Sequence, residues 1–219
     1  FIGVLASAVP IIILPYYCVI GGWVVKYAWA FVTGSGSAAA ADEYFGGFIS
    51  QTGEPILWLG IFILATMVVI LLGVNKGIEN ISKVLMPLLV ILSVVIAVFV
   101  VTRPGAGAGI SYYLKPDLSK ISANAFLAAL GQLFYSMSLA MGIMITYGSY
   151  LKKDANIEHS VRNIEIFDTG IAFLAGLMIV PAVFVFSGGN EASLKAGPTL
   201  MFITLPKVFD SMAGGHIIG

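Results

Sequence analysis

The chain has 219 residues, of which 59% are hydrophobic and 10% charged, and its eleven basic residues balance eleven acidic ones. A water-soluble domain carries about 25% charged residues, so this composition excludes a soluble globular protein and describes one whose main solvent is lipid. The balanced charge excludes the basic field that would hold nucleic acid. One cysteine, Cys18, and two isolated histidines, His159 and His216, leave disulfide pairing and histidine- or cysteine-based metal chemistry without support.

Apolar runs at about 1–32, 56–74, 84–102, 124–150 and 167–187 each approach or exceed the ~20 residues that cross a hydrocarbon core as a helix. They predict five spans of an all-α membrane protein, followed by an external loop at 188–216. The first run, FIGVLASAVPIIILPYYCVIGGWVVKYAWAFV, would extend about 48 Å at ~1.5 Å per residue, so it should tilt or protrude. Pro10 and Pro15 remove backbone donors and are expected to bend it near its middle. Trp23, Lys26, Tyr27 and Trp29 gather at its far end as an interfacial belt.

Residues 33–54 read as a loop of Gly, Ser and Ala with acids and no base, and 74–83 as a short connection with Lys76 and Lys83. The positive-inside rule makes the short basic connection cytoplasmic and the acidic one external. Alternation then puts 104–122 outside, 151–165 inside and 187–215 outside. The inner connections hold Lys76, Lys83, Lys152, Lys153 and Arg162, and the outer ones Arg103, Lys115, Lys120, Lys195 and Lys207, so density of charge, not its amount, orients the chain. PGAGAG (104–109) is read as following a helix without opening one, which sets it apart from phosphate loops. Asn80-Ile81-Ser82 fits a glycosylation pattern, but on the cytoplasmic side it should stay unmodified. No internal repeat is visible. The odd number of spans and the start inside an apolar run are expected of a piece of a larger bundle.

Within the fourth span, GQLFYSMSLAMGIMITYGSY (131–150) puts Gln132, Tyr135 and Ser136 on one helical face and then brings small residues together up to Gly142. Backbone at mid-membrane leaves the helical ladder only where it faces protein or a water-filled cavity. A break at Ser138–Gly142 would end one half-helix with free carbonyls, which attract a cation or an ammonium, and begin another with free amides. Ser, Ala and Gly also line ordinary helix–helix contacts with no break, and the pattern by itself leaves both readings open. Asp168, in FDTGIAFLAGLMIVPAVFVF, reads on its own as an interfacial N-cap of the fifth span.

The string GQLFYSMSLAMGIMITYGSYLKKD resembles the sixth transmembrane helix of the neurotransmitter:sodium symporter family, whose pattern runs Gly-Gln-x-Phe-Phe-Ser/Thr-Leu-Ser-Leu-Gly-x-Gly and then Tyr-x-Ser-Tyr. IIILPYYCVIGGW (11–23) is similar to that family's third helix with its Tyr-Tyr pair. GVNKGIENISKVLMPLL (73–89) resembles the start of the fifth, and GPTLMFITLPKVF (197–209) the fourth external loop. The likeness, nearest to bacterial carriers of leucine and other hydrophobic amino acids, runs from helix three to the start of helix eight. It implies part of a single transporter domain over 1–219, a partial inverted-repeat bundle with a discontinuous helix at about 124–150. The two halves of such a bundle are symmetry mates, and pairs of mates would not co-occur in this stretch, which accounts for the missing repeat.

The resemblance also implies roles. Tyr17 matches a tyrosine that donates to the substrate carboxylate, and Ile13, four residues earlier on the same helical face, lines the side-chain pocket. Without the resemblance, Tyr17 would be an interfacial or core tyrosine and Ile13 plain core. Tyr135 matches an aromatic lid that is more often Phe, Ser136 a sodium ligand, and Ser138 a pocket serine. Met141 stands where Phe is common and suggests an adaptable pocket. Asp168 matches an Asn that ligates sodium, with Asp in some bacterial members. At ~5 Å and an effective dielectric of ~20, a carboxylate attracts the ion by about 3 kcal/mol before desolvation. Where relatives use chloride for that charge, a serine one turn later helps; here Ala172 stands in that place. Gln132 matches a residue near the chloride region, or makes a simple interhelical hydrogen bond.

These residues imply a sodium-coupled symporter that takes up an amino acid, hydrophobic or aromatic, by alternating access. Na+ is the coupling ion and chloride is not expected. The expected setting is a prokaryotic inner membrane, with membrane lipid and the amino acid as partners and no nucleic acid. A channel or a structural membrane subunit is the alternative. An intramembrane enzyme would need a nucleophile–base pair or facing metal ligands, and the spans offer none.

Overall fold

The computed structural model describes residues 2–151, 155–189, 194, 198–212 and 214–215. Lys152, Lys153, Lys195 and His216, which entered the sequence reading, and parts of the 188–216 connection lie outside the described residues. Among the described residues the regular structure is all helical and there is no strand. In order come α1 (Ile2–Val32), α2 (Gly36–Ala39), α3 (Asp42–Ile49), α4 (Gly53–Leu71), a π-helical turn (Val74–Glu79), α5 (Asn80–Val101), α6 (Ala106–Leu114), a 3-10 turn (Leu118–Lys120), α7 (Ala123–Ser136), α8 (Ile143–Ser149), α9 (Ile157–Phe186) and α10 (Pro198–Ser211). Helices α1, α4, α5 and α9 are each long and apolar enough to cross a membrane. Their outward Leu, Ile and Val side chains are extensively exposed, the distribution expected where the solvent is lipid.

Four connections expected to be loops contain helices. The acidic stretch 33–54 folds into α2 and α3, and α3 starts on Asp42 and Glu43, whose charge suits a helix N-terminus, and buries Phe45 and Phe48. The 74–83 connection is a π-helical turn running straight into α5, with Lys83 bonded to Glu79 one turn back at 2.7 Å. PGAGAG does open a helix, contrary to the sequence reading: Gly105 turns at φ 91 and α6 begins at Ala106. The last glycine of the run serves packing, since a Cβ on Gly109 would meet the Pro181 backbone of α9. In the last connection, α10 buries Phe202, Thr204 and Val208. Pro10 and Pro15 lie inside one uninterrupted helix.

The chain divides into two compact units. One comprises Phe1–Tyr16 and Lys115–Phe173, the other Tyr17–Leu114 and Leu174–Gly219. The buried core is in the second unit. One cluster joins Tyr27, Ala30 and Phe31 of α1 to Ala39, Phe45 and Phe202, and another joins Ile96, Ala97 and Val100 of α5 to Met178, Ala182 and Val208. Helices α1 and α4 meet at Gly22, where a Cβ would lie 2.8 Å from the Leu59 amide nitrogen. Above that crossing Lys26 pairs with Glu54 and sits over the Trp58 ring at 5.6 Å, and Lys207 of α10 pairs with Asp42 of α3. The first unit holds α7, α8 and the first part of α9, which carry the candidate site.

Candidate functional site

Helix α7 starts on a Ser122 cap, whose Oγ accepts from the Ala125 amide at 3.2 Å, and stops after Ser136. The stop is a closed one. Met137 N–H donates to the Leu133 carbonyl at 3.0 Å, Ser138 N–H to Tyr135 at 3.2 Å and Leu139 N–H to Phe134 at 2.9 Å. With Ser138 left-handed at φ 55, the last two bonds form the paired termination that usually carries glycine at the left-handed residue. Ala140 is also left-handed, at φ 58, and Gly142, at φ 74, leads into α8. The Gly142 carbonyl accepts twice from Thr146, from its N–H at 3.0 Å and its hydroxyl at 2.9 Å.

Between these two anchors, the carbonyls of Ser136 to Met141 accept none of the backbone bonds that bracket the break, and the first-turn amides of α8 have no partner inside their own helix. The 14 residues of α7 and the 7 of α8 make rods of about 21 and 11 Å at ~1.5 Å per residue. Neither crosses a core of ~30 Å alone. The ordinary unbroken helix–helix contact, one of the two readings left open by the sequence, is therefore not what forms.

Asp168 is not an N-cap. Helix α9 begins at Ile157, and Asn156 caps it, its Oδ1 accepting from the His159 amide at 3.0 Å, so Asp168 lies well inside the helix. There it faces the end of α7. The Ser136 hydroxyl is 2.8 Å from Asp168 Oδ1 and 3.0 Å from Oδ2, donating to the carboxylate. Two residues picked from separate segments of the sequence thus share one hydrogen-bonded point, where a carboxylate and a hydroxyl offer hard oxygens of the kind a small cation prefers. Among the described residues no three His, Cys, Asp or Glu side chains gather as a metal cage.

Tyr135 and Ser138 flank the helix end, and Met141 is half-buried in the connection to α8. Gln132 is one turn before Ser136 on α7, and Ala172 one turn after Asp168 on α9. Ile13 is half-buried in the part of α1 that belongs to the first unit, and Tyr17 is half-exposed in the part that belongs to the second. Two features escaped the sequence reading. The left-handed Ala140 was one, because alanine ordinarily favours a continuous helix; the Gly that the resembled pattern has at this place was the signal that could have found it. Thr146, which pins the start of α8, could have been picked out as a hydroxyl one turn after a glycine.

A many-helix membrane protein with one span broken halfway, a hydroxyl and a carboxylate hydrogen-bonded beside the break, belongs to the architectural class of discontinuous-helix membrane transport proteins. More narrowly, the chain belongs to the sodium:neurotransmitter symporter family, whose sequence model matches residues 45–219. It is 39% identical over 210 residues to an uncharacterized sodium-dependent transporter of Haemophilus influenzae, covering 93% of this chain and 45% of that protein. It is 36% identical over 219 residues to the uncharacterized sodium-dependent transporter YhdH of Bacillus subtilis, covering 98% of this chain and 48% of that one. Its fold matches the crystal structure of MhsT in complex with L-phenylalanine with a TM-score of 0.88 and 38% identity, over 99% of this chain and 49% of MhsT. The chain thus spans about half the length of these relatives. They are transporters, not enzymes. The expected fold class, an all-α membrane protein with a discontinuous helix at about 124–150, is the one found.

Proposed function

We propose that this chain forms part of a sodium-coupled symporter that takes up a hydrophobic or aromatic amino acid by alternating access. The observation that carries the reading is the Ser136–Asp168 contact beside the break in 137–142. A sodium ion entering there meets one formal negative charge and several neutral oxygens, and the Ser136 hydroxyl can turn a lone pair to the ion once Asp168 no longer needs its proton. The loosened end of α7 holds the substrate ammonium, Tyr17 and the ion its carboxylate, and Ile13, Tyr135, Ser138 and Met141 its side chain. That pocket set is uncharged, which favours apolar substrates, and the fold match to a protein solved with L-phenylalanine supports the same class.

Because Asp168 brings its own charge and Ala172 offers no hydroxyl, the ion site needs no chloride. The short basic connections at 74–83 and 151–165 face the cytoplasm of a prokaryotic cell, and the acidic 33–54 segment faces outward. The test is substrate-dependent sodium binding by the full-length protein, wild type against Asp168→Asn. Sodium affinity should fall about tenfold, the share of a ~3 kcal/mol attraction left after desolvation. Equal affinity in both would remove Asp168 from the site. A channel would show non-saturable flux, and saturable concentrative uptake tells the two apart.

A further inference from the structure

The break contains two left-handed non-glycine residues, Ser138 and Ala140, and they differ in what holds them. Ser138 is repaid on the spot, since its own N–H and that of Leu139 close onto Tyr135 and Phe134 at 3.2 and 2.9 Å. Ala140 is not repaid: among the described residues, neither its N–H nor its carbonyl takes part in a hydrogen bond of the break. It has no polar side chain to bond its own backbone, as Asn or Asp would have in this conformation. A strained residue persists only where its surroundings over-determine it, and nothing local does so at Ala140.

We propose that Ala140 is a positioning residue, whose strained left-handed backbone is compensated when ion and substrate fill the break, so that it divides binding energy between affinity and release. The inference rests on the symport reading above. With the site filled, the carbonyls of Ser136 to Met141 gain partners only in the broken geometry, and part of that gain is spent holding Ala140 at positive φ. With the site empty the strain is no longer offset, and the connection relaxes toward release. A residue at home in the left-handed region would remove the tax, and binding would tighten while release slowed.

The experiment is sodium-dependent uptake of L-phenylalanine by the full-length protein, comparing wild type with Ala140→Gly and Ala140→Asn. Glycine visits the left-handed region freely and asparagine does so more readily than alanine. The Michaelis constant should fall about fivefold for Gly and less for Asn, and the maximal rate should fall in the same order. The Asn variant decides between strain and crowding: a steric role ranks Asn worse than alanine, a strain role ranks it better. Unchanged constants in the Gly and Asn variants, or a ranking by side-chain size, would overturn the proposal. Thermal stabilisation by sodium alone, measured on the same proteins, should give the same ranking, Gly above Asn above wild type. That second readout separates the two failures, since a wild type that takes up no amino acid defeats the symport reading while the sodium ranking still judges Ala140.

Discussion

Gly109 of α6 lies so close to Pro181 of α9 that a Cβ on the glycine would stand 2.6 Å from the Pro181 Cα. The neighbour is backbone, inside a helix, and cannot swing aside. Gly109→Val should therefore cost about 1–3 kcal/mol through overpacking and lower the melting temperature of the full-length protein in detergent. Gly107, two residues earlier, has nothing within 4 Å of its would-be Cβ, so Gly107→Val is the matched control and should lower the melting temperature much less, if at all. Equal behaviour of the two variants would mean that α6 does not dock on α9 at this glycine.

Lys26 and Glu54 join α1 to α4, with 17% and 32% of their side-chain surfaces exposed. Lys26→Met strands the carboxylate in a half-buried setting and should cost about 1–3 kcal/mol. Adding Glu54→Gln removes the stranded charge, and the double variant should recover part of the loss. Thermal denaturation of the four proteins completes the cycle; strictly additive losses would show that the pair contributes nothing by being paired.

The third expectation concerns chloride. Uptake by the full-length wild type should be the same in chloride and in gluconate, because Asp168 already supplies the negative charge beside Ser136. Asp168→Asn combined with Ala172→Ser removes that charge and places a hydroxyl one turn along α9. This variant should regain uptake only when chloride is present. Strong chloride stimulation of the wild type would contradict the assignment.

The broken span was legible through the resemblance of residues 131–150 to the family's sixth helix, since its polar and small residues by themselves fit an unbroken helix–helix contact as well. Of the polar side chains in that run, Ser136 finds its partner in Asp168. The Asp168 cap reading went wrong for a different reason. Hydropathy locates the stretch of a helix that lies in lipid, so α9 seemed to start near Phe167, whereas Asn156 and Glu158 begin it ten residues earlier in polar surroundings. The same blindness hid α3, α6 and α10, which are too short to cross a membrane and are interrupted by Gly in the first two and by Pro206 in the third. Ala140 was missed because alanine ordinarily favours a continuous helix, although the pattern that this stretch resembles has Gly there, the residue at home in a left-handed backbone.

Helix α1 outlasts the bilayer: its 31 residues make about 46 Å against a hydrocarbon core of ~30 Å. The surplus beyond Lys26 carries Tyr27, Ala30 and Phe31, and Ala39, Phe45 and Phe202 close over them. Withdrawing oily surface from water is worth roughly 25 cal/mol per Å², a gain that acyl chains do not offer. This cap is consequently assembled by the ordinary rules of soluble proteins on top of a rod that obeys lipid rules. Urea, which leaves the spans nearly untouched, has its purchase there.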